Sequence, residues 1–143
     1  MMIRNRILAT ESYGSILFIR LMVGGVFLSE GIQKFVFPAS MGPGRLLSIG
    51  FPMPYLAAYT AGVTEICCAL LILAGLCTRF ATVPLLIITV FSIVAIRFPI
   101  MVDQGWWTML HVSRSDWCML LGNCFLLLKG GGKWSLDRKY SKW

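Results

Sequence analysis

The sequence predicts an all-α membrane protein, an antiparallel four-transmembrane-helix bundle forming a single integral domain over residues 1–143. Three observations carry this. The chain is 57% hydrophobic and 13% charged with a mean hydropathy of +0.77, too apolar for a soluble domain of 143 residues. Its apolar runs approach the roughly 20 residues that cover about 30 Å of hydrocarbon at about 1.5 Å per residue. Turn-forming or basic stretches separate these runs, giving spans at about 15–37, 56–76, 81–97 and 109–128.

Residues 1–14 are a short lead with Arg4, Arg6 and Glu11. Two arginines before an apolar run imitate a secretory signal, but Ile16 to Phe37 is too long for a signal core and lacks a clear small-residue cleavage site. It reads as a retained first helix. This span, SILFIRLMVGGVFLSEGIQKFVF, places Arg20 near one end, where its aliphatic stem can snorkel to the interface. Glu30 and Lys34 lie near the other end, four apart on one face, a spacing that suits an intrahelical ion pair. Gly25-x-x-x-Ser29 offers a small surface for close helix contact.

Pro38 to Pro54 is crowded with Gly and Pro and reads as a loop, with one turn of helix around Arg45 to Ile49. In the second span, AAYTAGVTEICCALLILAGL, Glu65 falls near the middle. A charged carboxylate there costs about 3 kcal/mol on insertion scales, so Glu65 is expected to face the protein interior, protonated or paired. Ala57-x-x-x-Ala61 and Ala58-x-x-x-Gly62 mark a second close-packing face. Gly75 and the short link Cys77 to Phe80 turn the chain back as an antiparallel neighbour. The third span, Ala81 to Arg97, has Pro84 in its first turn, where a missing N–H does little harm.

Phe98 to Leu110 reads as a re-entrant or surface-lying segment, with Trp106 and Trp107 suited to the membrane–water boundary. The apolar run Trp117 to Leu128 is too short to cross unless its helix begins near Met109, which brings His111, Arg114 and Asp116 into the outer part of the span. The tail from Lys129 is basic, polar and glycine-led.

The net charge of +7 does not point to nucleic acid, because the Lys and Arg residues sit mostly at segment ends; membrane lipid with anionic headgroups is the expected partner. With four spans both termini fall on one side, together with Arg4, Arg6, Arg79, Lys129, Lys133, Arg138, Lys139 and Lys142. The other side holds Lys34, Arg45, Arg97 and Arg114, so the positive-inside rule puts both termini in the cytoplasm.

A single histidine cannot build bis-histidine haem, and the five cysteines form no Cys-x-x-Cys, so no metal site is expected and any redox centre should come from a partner. Cys67 and Cys68 are adjacent, about 100° apart on a helix, and read as small packing residues. Cys118 and Cys124, about 9 Å apart along one helix, are too far apart to bond.

This topology gathers Glu30, Glu65, His111, Arg114, Lys34 and Asp116 in the outer half of the bundle. A quinone site or a transporter can use such a group, since quinol oxidation releases protons that need a relay to water. The candidate proton-handling residues are Glu30, Glu65 and His111; Lys34 or Arg114 would hold an anionic oxygen, with Asp116 beside them. Trp107 serves as a boundary anchor or as an aromatic wall for a quinone ring. The alternative is a buried ion network that fixes helix register and performs no chemistry.

The segments RLMVGGVFLSEGIQKF, AGVTEICCALLILAGLCTRFAT and LLLKGGGKWSLDR, in this order and spacing, resemble the DoxX family of small four-helix membrane proteins from Arg20 to Arg138. The region from His111 to Trp117 matches less well than the rest. The resemblance implies a multi-pass protein of the cytoplasmic (inner) membrane associated with quinone-linked or thiol-related oxidoreductase systems. The expected function is therefore a membrane subunit, without a redox cofactor of its own, that supports electron and proton transfer between quinone and a partner redox protein. A noncatalytic assembly or scaffold subunit is the alternative. A carrier is disfavoured, because no paired broken helices or inverted repeat are visible.

Overall fold

The computed structural model describes residues 13–140, so Arg4, Arg6, Glu11 and Lys142 lie outside the described residues. In chain order the helices are α1 (Ile16–Val36), α2 (Pro43–Ser48), α3 (Pro54–Ala74), α4 (Thr78–Ser92), a π turn (Ile93–Arg97), α5 (Phe98–Gln104), α6 (Trp106–Val112), α7 (Arg114–Lys129) and α8 (Leu136–Tyr140). Among the described residues, three helical runs are long and apolar enough to cross a membrane: α1, α3 and the continuous run Thr78–Gln104. At 16 residues α7 extends about 24 Å, short of the roughly 30 Å of a hydrocarbon core.

Proline and glycine set the boundaries. Pro38 has no N–H to continue α1, and Pro43 and Pro54 open α2 and α3, where that missing donor has no helical partner to lose. Gly75 ends α3 in the left-handed region, φ +69°; its N–H bonds to Ile72 O at 3.0 Å and that of Leu76 to Leu71 O at 2.9 Å, which satisfies two terminal carbonyls.

The third span differs from its expected bounds. It begins at Thr78, so Pro84 lies inside the helix and not in its first turn, and it runs past Arg97 to Gln104. Pro99, lacking an N–H, interrupts the regular ladder beside the π turn, where the Phe98 N–H reaches back five residues to Ile93 O. The segment 98–104 therefore continues this helix until Gly105, φ +88°. The fourth expected span is broken at Ser113, whose hydroxyl donates to Met109 O at 2.6 Å and accepts from Trp117 Nε1 at 3.1 Å.

α1 and α3 pack antiparallel, with Gly24 against Ala69 and Leu73, and Gly31 against Gly62 and Ile66. A Cβ on Gly31 would fall 2.8 Å from Ile66 Cγ1 and 3.0 Å from Gly62 O. The close contact is thus Gly24 and Gly31 facing the Ala58–Gly62 side of α3, whereas Gly25 has nothing within 4 Å and the expected Gly25–Ser29 surface is unused. Gly31→Leu is expected to force the pair apart and destabilise the fold by about 1–3 kcal/mol, read as a lower thermal midpoint in detergent. Gly25→Leu should leave that midpoint unchanged.

α7 packs mainly on α4, with Met119 and Leu126 joining Ile16, Val23, Phe27, Cys68, Ala69, Ile72, Ala81 and Leu85 in the core. Arg79 Nη2 reaches Leu128 O at one end of this pair and Arg97 meets Asp116 at the other, so α4 and α7 also run antiparallel.

Arg20 does not snorkel. It is 1% exposed, and its guanidinium donates to Ile72 O at 2.8 Å, Leu73 O at 2.6 Å, Gly131 O at 3.1 Å and Trp134 O at 2.8 Å. The first two carbonyls belong to the last turn of α3, where a cation is favoured; the other two belong to the returning tail. Asp137 completes this lock, accepting from Cys77 N at 2.6 Å and Thr78 N at 3.0 Å at the start of α4, while its own N–H bonds to Gly75 O at 2.9 Å. The glycine-led tail is therefore part of the packed structure at the end of the bundle that carries Gly75, here called the tail end.

Candidate functional site

At the opposite end, α1, α2, α3, α4, the π turn and α7 surround a cavity of about 810 Å³. The helical period brings its charged lining inward from separate elements: Glu30 and Lys34 from α1, Arg45 from α2, Glu65 from α3, Arg97 from the π turn and Asp116 from α7. Phe27, Phe51, Phe91, Leu46, Ile88 and Met119 supply apolar walls.

Lys34 Nζ lies 2.5 Å from Glu65 Oε2, and Glu65 is 1% exposed, so the mid-span acid is buried and paired across helices. Lys34 turns to Glu65 in α3 and not to Glu30 on its own helix, which replaces the expected intrahelical pair. Arg97 Nε sits 2.6 Å from Asp116 Oδ2, closing the wall between the π turn and α7. Among the described residues, Glu30 and Arg45 form neither an ion pair nor a side-chain hydrogen bond. Burial, and after it the neighbouring Arg97, push the Arg45 guanidinium below its ordinary range, with Asp116 and Glu30 acting in the opposite direction. The cavity therefore holds two neutralised pairs plus one carboxyl and one guanidinium with capacity for a ligand.

Of the candidate residues, Glu30, Glu65, Lys34 and Asp116 meet in this cavity, and His111, Arg114 and Trp107 do not line it. His111 and Arg114 are exposed, with His111 Nε2 and Arg114 Nη1 3.4 Å apart, and Trp107 is 82% exposed. The break at Ser113 takes α6 off the line of α7. Arg114, two residues before the inward Asp116, lies about 200° around the helix from it. Arg45 and Arg97 occupy the cationic place expected of Arg114. Their signal was present in the pattern: Arg97 closes an apolar run, and Arg45 is the basic residue of the one helical turn in the loop.

Cys68 is buried, whereas Cys67, Cys118 and Cys124 are exposed on the helix surfaces, and all five cysteines are free. Packing as interior residues thus applies to Cys68 and not to its neighbour. Among the described residues no three His, Cys, Asp or Glu side chains gather as a metal-ligand set.

Apolar helices long enough to cross a bilayer, packed around an ionisable cavity, define a small helical integral membrane protein. The chain belongs to the DoxX family, whose model matches residues 15–97. It is 49% identical over 143 residues to the uncharacterized membrane protein Rv3486 of Mycobacterium tuberculosis, covering 96% of this chain and 88% of the relative. No solved structure matches it. The family match includes Glu30, Lys34, Arg45, Glu65 and Arg97 and ends before α6 and α7.

Proposed function

We propose that the protein is a membrane subunit of a quinone-linked or thiol-related oxidoreductase system, supporting electron and proton transfer with a partner redox protein. The observation that carries this reading is the pairing of an apolar, aromatic-walled cavity of about 810 Å³ with Glu30 and Arg45, neither of them ion-paired among the described residues. A quinone ring is flat and apolar with oxygens at its ends, which fits such walls and such donors. A bound quinone supplies the two-electron, two-proton exchange. Arg45, with its fixed fork of N–H groups, would hold a ring oxygen. Glu30 would accept a proton there and pass it toward the exposed Ser40 at the cavity mouth. The Lys34–Glu65 pair keeps the adjoining wall electrically neutral.

In the same reading α7 completes an antiparallel four-helix bundle in the inner membrane. Arg79, Lys129, Lys133, Arg138 and Lys139 at the tail end favour a cytoplasmic location for both termini. Cys118 and Cys124, exposed on α7, are the groups a thiol-related partner would meet. The second reading, a noncatalytic assembly subunit, is favoured by one observation: both ion pairs join different elements, as register-fixing contacts do.

The test uses the complex purified from native membrane, with bound quinone extracted and partner-dependent quinol oxidation measured. Glu30→Gln should leave the folded yield unchanged and lower the oxidation rate at least tenfold. Unchanged oxidation and unchanged quinone content would remove the proton-handling role and leave the assembly reading.

A further inference from the structure

We infer that the cavity takes a single-chain bilayer amphiphile whose polar head sits at Glu30 and Arg45 and whose hydrocarbon tail leaves sideways between α3 and α4. The head assignment rests on the quinone reading above; the tail slot rests on the walls alone.

Toward the mouth, the cavity reaches exposed residues of both α3 and α4. Ala57, Thr60, Ala61 and Thr64 form the α3 edge of the cavity, and Ile87 and Phe91 form part of the α4 edge. Thr60 is exposed, Ile87 is 66% exposed and Phe91 39%, so residues that line the cavity also lie on the outer side of the bundle. Thr60 is about 9 Å along α3 from its start, and Ile87 about 14 Å along α4. Both edges are therefore inside the hydrocarbon layer of a bilayer about 30 Å thick. What borders the cavity at this depth is lipid.

The polar end is covered differently. Met41, Gly42, Arg45 and Leu46 lie across it, and Phe51 meets Phe91 edge-on with ring centroids 5.4 Å apart, bridging the top of the slot. The small side chains of Ala57, Ala61 and Thr64 leave room for an alkyl chain, while Glu30 and Arg45 suit a polar head whose oxygen accepts from the guanidinium. A wholly water-soluble thiol or anion would leave the slot unfilled. A tail-bearing molecule already dissolved in the membrane fills both parts, which selects the quinone arm of the proposed function for this cavity over the thiol arm.

The test uses the full chain in lipid nanodiscs with two probes. The first is a benzoquinone carrying a ten-carbon alkyl chain, compared with the same ring bearing a methyl group. The second is a diazirine-labelled twelve-carbon fatty acid whose photo-crosslinks are mapped by peptide mass spectrometry. Thr60→Trp and Ile87→Trp fill the slot from either edge; Val63→Trp, on the exposed side of α3 away from the cavity, is the control. The expected result is that the alkylated quinone binds at least tenfold tighter than the methylated ring, and that either slot variant, but not the control, removes this difference. If neither quinone binds but the fatty acid crosslinks to α3 and α4 along the slot and loses those crosslinks in Thr60→Trp, the slot stands and the quinone head falls. Equal binding of the two rings, or tail-dependent binding and crosslinks untouched by both slot variants, overturns the slot. No binding and no crosslinks overturns both.

Discussion

Arg20→Leu is expected to remove most of the folded protein. One buried guanidinium serves four main-chain carbonyls, two on α3 and two on the tail; Ile72 O also accepts from the Gly75 N–H, whereas Arg20 supplies the described donors to the other three. A hydrogen bond to a charged group is worth about 1.5–3 kcal/mol, and a buried carbonyl left unpaired costs about 1–3 kcal/mol. The loss of several such bonds approaches a whole-protein stability of about 5–15 kcal/mol. Arg20→Lys separates charge from geometry. It keeps the cation, but a compact ammonium cannot fork toward Ile72 and Leu73 on one side and Gly131 and Trp134 on the other. Size-exclusion profiles in detergent should show Leu largely aggregated and Lys folded with a lower thermal midpoint. Trypsin cleavage at Lys133 should be faster in the Lys variant than in the parent. A parent-like midpoint and tail protection in Arg20→Leu would mean that Asp137 alone holds the tail.

This arrangement shows where the sequence was readable and where it was not. Apolar run length and the positions of Pro38, Pro54 and Gly75 place α1 and α3 within about two residues, because those boundaries are fixed by local chemistry. Glu65 facing inward was equally legible, since lipid tolerates a carboxylate poorly. Its partner was not: Glu30 and Lys34 are a suitable pair by spacing, and only the packing of α1 on α3 brings Glu65 closer. The same holds for Arg20, for which a snorkelling cation and a buried clamp carry the same local signature. The difference lies in a tail more than a hundred positions further on, |i−j| = 111 and 114. A continuous helix from Met109 would carry His111 and Arg114 into the span, and the break at Ser113 leaves them exposed. Asn123, fully buried within the apolar run of α7 with neither side-chain polar atom hydrogen-bonded, carries no signal that sequence periodicity distinguishes from an outward residue.

The Lys34–Glu65 pair yields the second large effect and separates chemistry from assembly. Removing one partner of a buried pair costs about 3–5 kcal/mol, because the remaining charge is left without compensation. The two single changes are not equivalent. Lys34→Met strands a carboxylate that is 1% exposed, whereas Glu65→Gln strands an ammonium that is 18% exposed and close to the cavity mouth. Lys34→Met is therefore expected to lower the thermal midpoint more than Glu65→Gln. The double change Lys34→Met with Glu65→Leu should recover most of that loss, since an apolar replacement of a buried pair is often neutral or stabilising. Midpoints of the parent, both single variants and the double variant form a cycle whose non-additivity measures the pair directly. Additive losses would show that the contact is not energetically coupled. The recovered double variant then asks what the pair does beyond neutrality: if it only joins α1 to α3, the refolded protein should assemble and support full activity per complex. If the charged wall takes part in proton and electron exchange, the same protein should assemble normally and remain impaired, an outcome that loss of folding cannot imitate.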